Sequence, residues 1–307
     1  MHNIQLRTSF GRKLYRDRYL YLMFFPVLAF YILFKYIPMY GVVIAFKDFK
    51  FTQGILGSAW VGLKHFTKLF QSADFYLFLR KTLVLNLYSI IFVFPVPIIL
   101  AIFINDLPGK LFKKGVQSSL YIPHFMSWVV LGGILATMLS PSTGIVNHLL
   151  KMAGLEPIFF MADSKWWIAV YIFSSIWQGA GWGTIIYLAA ITGIDSELYE
   201  AAKIDGAGKF RQIWHVTIPG IRSTIAIMLI LRVGQMMDVG FEQIYALQNE
   251  AVRNVSEVIS TYVYRIGITG GQYSYTAAIG LFQSVISLIL VVSTNKIVNM
   301  MGESALW

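Results

Sequence analysis

The sequence has no cysteine and few charged residues, and both features limit what the protein can be. Without cysteine, disulfide bonds, thiolate metal sites and cysteine nucleophiles are excluded. Charged residues make up 13% of the 307-residue chain, whereas a typical soluble domain has about 25%. Hydrophobic residues make up 57%, and the mean hydropathy is +0.63. Polar groups could not cover the surface of a soluble protein of this composition, so we expect lipid to surround much of the chain.

Recognisable catalytic and nucleotide-binding motifs are also absent from the sequence. Gly208 and Lys209 resemble the end of a phosphate-binding loop, but Lys203 and Phe210 stand where that loop needs a glycine and a hydroxyl residue. The five histidines show no H-E-x-x-H spacing, and no G-x-S-x-G nucleophile elbow occurs. The sequence therefore predicts a protein that is not an enzyme, with no catalytic residue, metal site or cofactor of its own.

Six apolar runs are long enough to cross a bilayer as helices, which takes about 20 residues each. They cover residues 20–45, 82–105, 116–139, 166–192, 223–247 and 276–298. The first run is longer than the core of a cleavable signal peptide, so we expect it to be retained as a membrane anchor. The pattern predicts an all-α integral membrane protein with about six transmembrane helices. A basic segment over 1–19 would precede a transmembrane domain over 20–301.

The positions of lysine and arginine predict the orientation, because cytoplasmic loops carry an excess of both. The segment 1–19 and the loops 106–115 and 193–222 hold five, three and four of them, and the three opposite loops hold ten. Both termini are therefore predicted to be cytoplasmic. The net charge of +10 is explained by this topology and does not indicate a nucleic-acid partner.

The loop 193–222 carries the most specific pattern in the sequence. It predicts a short helix, a turn at Gly206 and a second short helix before the fifth span. Asp195 or Ser196 can cap the first helix, and Pro219 marks the start of the span. Small side chains in this loop would let another surface approach closely, at Ala201, Ala202 and Ala207.

This loop resembles the EAA loop of ABC importer permeases, through the string Glu200-Ala-Ala-x-x-Asp-Gly-Ala207 followed by Ile218-Pro219. Other parts of the chain are similar to the carbohydrate branch of that family. More narrowly, they are similar to the subgroup that imports oligosaccharides or polysaccharide fragments, including lipoprotein-fed systems and alginate importers. The similar segments are 34–40, 46–49, 60–63, 121–128, 139–144 and 238–245.

The resemblance implies a MetI-like permease fold in a bacterial cell membrane, with the loop docked on an ATPase. The residues expected to mediate this coupling are Glu200, Ala201, Ala202, Asp205, Gly206, Ala207 and Pro219. It also implies a second homologous permease subunit, an ATPase dimer, an extracytoplasmic solute-binding protein and a saccharide substrate. The associated ATPase, and not this chain, would hydrolyse ATP.

Polar residues inside the spans are candidates for the solute path, because ionisable side chains in a membrane usually face a protein or water-filled interior. In the fifth span, four polar residues are predicted to share one helical face: Arg232, Gln235, Asp238 and Glu242. This face could line a cavity that contacts the solute. It could equally form an internal or intersubunit salt-bridge network around Arg232 that fixes packing.

The fourth span offers a second candidate surface. Gln178 and Trp182 lie one helical turn apart, and a tryptophan face suits a sugar ring. The neighbouring glycines also favour close helix packing, so both interpretations stay open. Asn86 and Gln283, in the second and sixth spans, complete the candidate set.

Two other classes of protein fit the composition. An ion-coupled secondary transporter could use Asp238 or Glu242 as its coupling residue, and a membrane scaffold would transport nothing. The coupling loop and the lack of a visible internal repeat favour the ABC importer permease.

Overall fold

The computed structural model describes residues 15–302 and Leu306, and most of this part of the chain is helical. Residues 1–14 of the predicted basic segment lie outside the described residues. The chain divides into two compact units. One comprises Met1–Leu69 with Gln272–Leu281, and the other comprises Phe70–Gly271 with Phe282–Trp307.

The first unit contains a long apolar helix that continues to residue 46 despite Pro26 and Pro38. Arg18–Phe46 spans 29 residues, which confirms a helix over the predicted run 20–45. Its successive segments are α1 (Arg18–Tyr31), a π-helical turn (Ile32–Tyr36), α2 (Ile37–Met39) and a 3₁₀ turn (Tyr40–Phe46).

A small aromatic hairpin follows this helix in the first unit. Its antiparallel strands pair Lys47 with Trp60, and Phe46 stacks on the Trp60 ring with 5.8 Å between centroids. His65 Nε2 lies 3.1 Å from the Lys47 carbonyl oxygen, which ties the next helix to the hairpin. The elements are β1 (Lys47–Asp48), α3 (Gly54–Gly57), β2 (Ala59–Trp60) and α4 (Lys64–Gln71).

The second unit is built from helices packed around one long central helix, α10 (Ser164–Thr192). Before it come α5 (Ala73–Tyr88), a π-helical turn (Ser89–Val93), α6 (Pro95–Asp106), α7 (Lys110–Tyr121), a 3₁₀ turn (Ile122–Phe125), α8 (Trp128–Met138) and α9 (Ile145–Met152). After it come α11 (Ser196–Ile204), α12 (Lys209–Gln212), a π-helical turn (Ile213–Thr217), α13 (Ile218–Gly220), α14 (Arg222–Gly234) and α15 (Phe241–Leu247). A 3₁₀ turn (Glu250–Val252), α16 (Arg253–Ser256), α17 (Ile259–Val263), a π-helical turn (Tyr264–Thr269) and α18 (Tyr273–Met300) complete the chain, and α18 contributes to both units.

One core of the second unit forms where α10 meets α15. Trp167 is fully buried there, and its indole Nε1 donates a hydrogen bond to the Leu247 carbonyl oxygen at 2.9 Å. A buried tryptophan needs such a partner for its N–H group. This core therefore fixes α15, and with it the end of the fifth predicted span, against α10.

Three of the six predicted spans are unbroken helices that are long and apolar enough to cross a membrane: Arg18–Phe46, Ala73–Asp106 and Tyr273–Met300. Counting each bent helix pair as one span raises the total to five. The fourth predicted run, 166–192, forms the continuous helix α10 of 29 residues. It is not among those three helices, so its crossing stays a prediction.

The third and fifth predicted spans were wrong as single straight helices. Inside the third run, Lys110–Phe125 and Trp128–Met138 meet at 100°. The second bent pair, Lys209–Gly220 and Arg222–Gly234, meets at 61° just before the fifth run begins. In the first pair, Ser127 is extended and its hydroxyl accepts a hydrogen bond from the Val130 N–H, so a new helix starts after it. In the fifth span, helical structure stops at Gly234 and starts again at Phe241.

Candidate coupling surface and solute path

The loop 193–222 folds into the predicted helix–turn–helix, which we call the coupling segment. Asp195 caps α11, because its carboxylate accepts a hydrogen bond from the Glu197 N–H at 3.0 Å. Of the two possible caps, the structure therefore selects Asp195 and leaves Ser196 as the first helical residue. Glu197 lies in the first turn, where the helix dipole favours an acidic side chain.

Gly206 ends α11 in a left-handed conformation with a φ of +73°. The Ala207 N–H donates to the Ala202 carbonyl oxygen at 2.8 Å, and the Gly206 N–H donates to the Lys203 carbonyl oxygen at 3.0 Å. This pair of hydrogen bonds is the Schellman motif, which satisfies carbonyls left over at a helix C-terminus. A residue with a β-carbon would be strained here by its backbone angles and not by lack of space, since no neighbouring atom lies within 4 Å of the position that the β-carbon would take.

Three contacts hold the coupling segment to the rest of the second unit or to itself. Gln212 is buried, and its amide Nε2 donates to the Ala207 carbonyl oxygen at 2.7 Å, so α12 is tied to the turn. The hydroxyl oxygens of Tyr199 and Thr217 lie 3.0 Å apart. Lys209 Nζ lies 3.1 Å from the carboxylate of Asp106 at the end of α6.

The coupling segment presents large apolar side chains to its surroundings. Ile204 is 86% exposed and Phe210 is 80% exposed, and Leu198 and Trp214 are also exposed. Of the predicted coupling residues, Ala202 and Ala207 are half-buried, and the exposed ones are Glu200, Ala201, Asp205, Gly206 and Pro219. An exposed apolar patch bordered by charged groups is typical of a protein interaction site.

The helical face predicted in the fifth span is wrong, because the helix does not continue through it. Arg232 lies half-buried in the last turn of α14, Gln235 follows the helix, and Asp238 lies in the turn between α14 and α15. Glu242 lies in the first turn of α15. Within residues 15–302, no ion pair joins Arg232 to Asp238 or Glu242, so the salt-bridge interpretation has no internal pair to support it.

The segment 235–240, which we call the break, is held by two amides from other helices. Asn86 of α5 is buried, and its Nδ2 donates to the Met236 carbonyl oxygen at 2.7 Å. Gln283 of α18 donates through Nε2 to the Met237 carbonyl oxygen at 2.6 Å. Both predicted solute contacts thus satisfy backbone carbonyls that the broken helix leaves without partners. Their contact with solute stays a prediction.

On α10, the predicted residues Gln178 and Trp182 lie beside the bend between α7 and α8. The Trp182 ring stacks on the His124 ring with 4.7 Å between centroids, and Gln178 Nε2 donates to the His124 carbonyl oxygen at 3.4 Å. Close packing also occurs on this helix: a β-carbon on Gly181 would lie 1.9 Å from the Leu120 carbonyl oxygen. The helix therefore packs tightly through Gly181, while Trp182 keeps part of its surface exposed.

Gln243 is a polar residue of the fifth span that the sequence analysis did not select. It is buried, and its Nε2 donates to the Tyr171 carbonyl oxygen at 2.9 Å and to the Ser174 and Ser175 hydroxyl oxygens at 3.1 and 2.8 Å. This network joins α15 to α10. The sequence signal for Gln243 was a polar residue next to Glu242 in an apolar run. The assumption of an unbroken helix, however, placed Gln243 on a different face from the charged residues.

Residues 75–301 match the family described as "Binding-protein-dependent transport system inner membrane component". The chain is 48% identical over 295 residues to the polygalacturonan/rhamnogalacturonan transport system permease protein YteP of Bacillus subtilis (strain 168), covering 96% of this chain and 92% of that protein.

Two solved structures are similar to the chain over nearly its whole length. One is a bacterial ABC transporter involved in the import of the acidic polysaccharide alginate, with a TM-score of 0.86 and 40% identity over 94% of this chain and 98% of the other. The second is a bacterial alginate ABC transporter in complex with an alginate pentasaccharide-bound periplasmic protein, with a TM-score of 0.88 and 38% identity over 97% and 99%.

Proposed function

The chain belongs to the family of binding-protein-dependent transport system inner membrane components, and we propose that it carries acidic oligosaccharides into a bacterial cell. It is a non-catalytic permease subunit of a sugar ABC importer in the inner membrane. Beyond this, we propose a substrate class, the residues that couple to the ATPase and the residues that contact the solute. Family membership favours this function over an ion-coupled transporter or a scaffold.

The observation that carries the coupling assignment is the exposed apolar patch on an ordered helix–turn–helix. Exposing the side chains of Ile204 and Phe210 to water costs free energy. The capped helix α11 and the Schellman turn nevertheless hold both side chains on the surface. We propose that this patch fits a groove of one subunit of an ATPase dimer, with Glu200 and Asp205 at its polar border. A second, homologous permease would present the matching segment to the other ATPase subunit.

The acidic substrate is supported by what the similar proteins transport. The 48%-identical relative is described as a polygalacturonan/rhamnogalacturonan permease, and both solved structures concern alginate. All three names refer to polysaccharides that contain uronic acid units. We propose the same chemical class here, delivered by an extracytoplasmic binding protein, with both termini of this chain in the cytoplasm.

The break at 235–240 is the proposed solute contact within the membrane. Irregular backbone at membrane depth is tolerated only where protein buries it or where it lines a water-filled cavity. Asp238 is exposed between buried Met237 and Val239, and Arg232 precedes the break. The arginine would attract a carboxylate, while hydroxyl groups of the sugar could donate to Asp238.

Affinity purification of the tagged chain from its native membrane tests the coupling assignment. We expect an ATPase to co-purify, and we expect Phe210→Ser to remove it because the patch loses its most exposed aromatic ring on α12. The control is Phe159→Ser, which changes another exposed phenylalanine, in a loop predicted to lie on the other membrane side. Equal ATPase recovery from both variants, measured as ATP hydrolysis, would contradict the assignment. Proton-driven uptake by the chain alone would contradict the function.

A further inference from the structure

A polar cavity lies in the second unit, beyond the C-terminal end of α15, and none of the assignments above uses it. Its volume is about 450 Å³, within the range of about 300–1,000 Å³ that is usual for small-molecule sites. All of its lining residues come from the segment 245–269. We call it the outer cavity, since by span order it follows the fifth span on the side opposite the coupling segment.

Aromatic side chains form one wall of the outer cavity. Tyr245 and Tyr264 both line it, and their ring centroids lie 5.3 Å apart at an interplanar angle of 70°. Phe241 stacks on Tyr245 at 5.2 Å and supports it from α15. Tyr245 is half exposed, so part of its ring is available to a ligand. Such faces suit the apolar face of a sugar ring, and the phenol group can hydrogen-bond to its hydroxyls.

Two arginine–glutamate pairs supply the charges of the outer cavity. Arg253 Nη2 lies 2.5 Å from the Glu250 carboxylate, and Arg265 Nε lies 2.7 Å from the Glu257 carboxylate. Within residues 15–302, each guanidinium group donates one hydrogen bond to its glutamate, so its other N–H groups stay available to a ligand. Lys81 Nζ lies 3.4 Å from the Arg253 carbonyl oxygen and adds a positive charge beside the balanced pairs.

The two pairs differ in burial, and this difference assigns them different roles. Glu257 has only 8% of its side chain exposed, so its pair with Arg265 fixes the wall of the cavity. Glu250 is 80% exposed and Arg253 is 47% exposed, so this pair can open at little cost in free energy. An incoming carboxylate can replace Glu250 and bind Arg253 through two parallel hydrogen bonds.

We propose that the outer cavity is a saccharide subsite that receives a uronate unit of the oligosaccharide before the chain reaches the break. Arg253 binds the carboxylate, and Tyr245 and Tyr264 contact the ring. Glu242 and Tyr245 lie three residues apart on α15, so the outer cavity lies about one helical turn from a residue predicted to line the solute path. This inference rests on the proposed function, because that function supplies the acidic oligosaccharide.

Saturation-transfer difference NMR on the purified complete importer, without its binding protein, tests the subsite. The probes are a galacturonate trisaccharide and the neutral maltotriose. We expect Arg253→Gln to weaken trigalacturonate binding about tenfold, since a charge-assisted pair is lost. We expect Glu250→Gln to tighten it, because the competing carboxylate is removed. Lys151→Gln is the matched control for net charge, since Lys151 is exposed and lies outside the cavity.

The outcomes separate this inference from the proposed function. Unchanged trigalacturonate binding in Arg253→Gln, weaker binding in Glu250→Gln, or equal binding of maltotriose would overturn the subsite, even in an importer that transports saccharides. If Arg253→Gln fails to assemble, Tyr245→Ala carries the same test, because it removes a half-exposed ring and should also weaken binding. Failure of the unmodified complex to take up any saccharide would instead refute the proposed function.

Discussion

Replacing Gly206 by alanine should loosen the coupling segment without introducing a steric clash. The residue has a φ of +73°, and no atom lies within 4 Å of the position that a β-carbon would take. The entire cost therefore comes from placing a non-glycine residue in the left-handed region. Gly208 provides the matched control, because it has a φ of −66° and equally open surroundings.

The expected magnitude follows from the backbone conformation. A left-handed conformation costs a residue with a β-carbon about 1–2 kcal/mol, which lowers the population of the formed Schellman turn relative to alternatives by about 5- to 30-fold. The two hydrogen bonds made by the Gly206 and Ala207 N–H groups would be lost together in those alternatives. Since the apolar patch flanks this turn, we expect ATPase affinity to fall by a similar factor.

Titration of the ATPase onto the reconstituted permease measures this effect. Gly206→Ala should raise the dissociation constant and reduce solute-stimulated ATP hydrolysis, whereas Gly208→Ala should leave both close to the unmodified values. Gly206→Asn should fall between the two variants, because asparagine tolerates the left-handed region better than alanine. Equal affinity in Gly206→Ala and Gly208→Ala would refute the link between this turn and coupling.

Three further predictions concern packing, the solute path and topology. Gly181→Ala should destabilise the protein by about 1–3 kcal/mol or more, because the new β-carbon would lie 1.9 Å from a backbone oxygen. Gly179→Ala is the control and should not lower the unfolding temperature, because a β-carbon at that position has open space around it. Arg232→Met should assemble but slow saccharide uptake about tenfold, since a charge-assisted contact is lost; loss of assembly would indicate a packing role. A single cysteine at Lys209 should be shielded from an impermeant external reagent, whereas one at Leu56 should react, because Leu56 is 83% exposed. The reverse result would invert the topology.

Several features were predictable from the sequence because they depend on local chemistry. Long apolar runs predict helices, and Arg18–Phe46 and Tyr273–Met300 agree closely with their predicted limits. The coupling segment was predictable because a capping aspartate and a glycine stop act within a few residues. Asp195 and Gly206 have the predicted structural roles. The identity of the proposed ATPase partner has no such local signal.

The break in the fifth span was decided by the tertiary structure. Hydropathy is averaged over a window of residues, so it cannot distinguish a continuous helix from one interrupted at Gly234. The hydrogen bonds of the interrupted backbone come from partners that are distant in sequence. Asn86 and Gln283 provide hydrogen bonds to Met236 and Met237 from two other helices. The outer cavity likewise depends on turns that bring Tyr245 and Arg265 to one wall. Composition thus determined that the chain enters a membrane, whereas long-range hydrogen bonds hold the segment where the helix of the fifth span is interrupted.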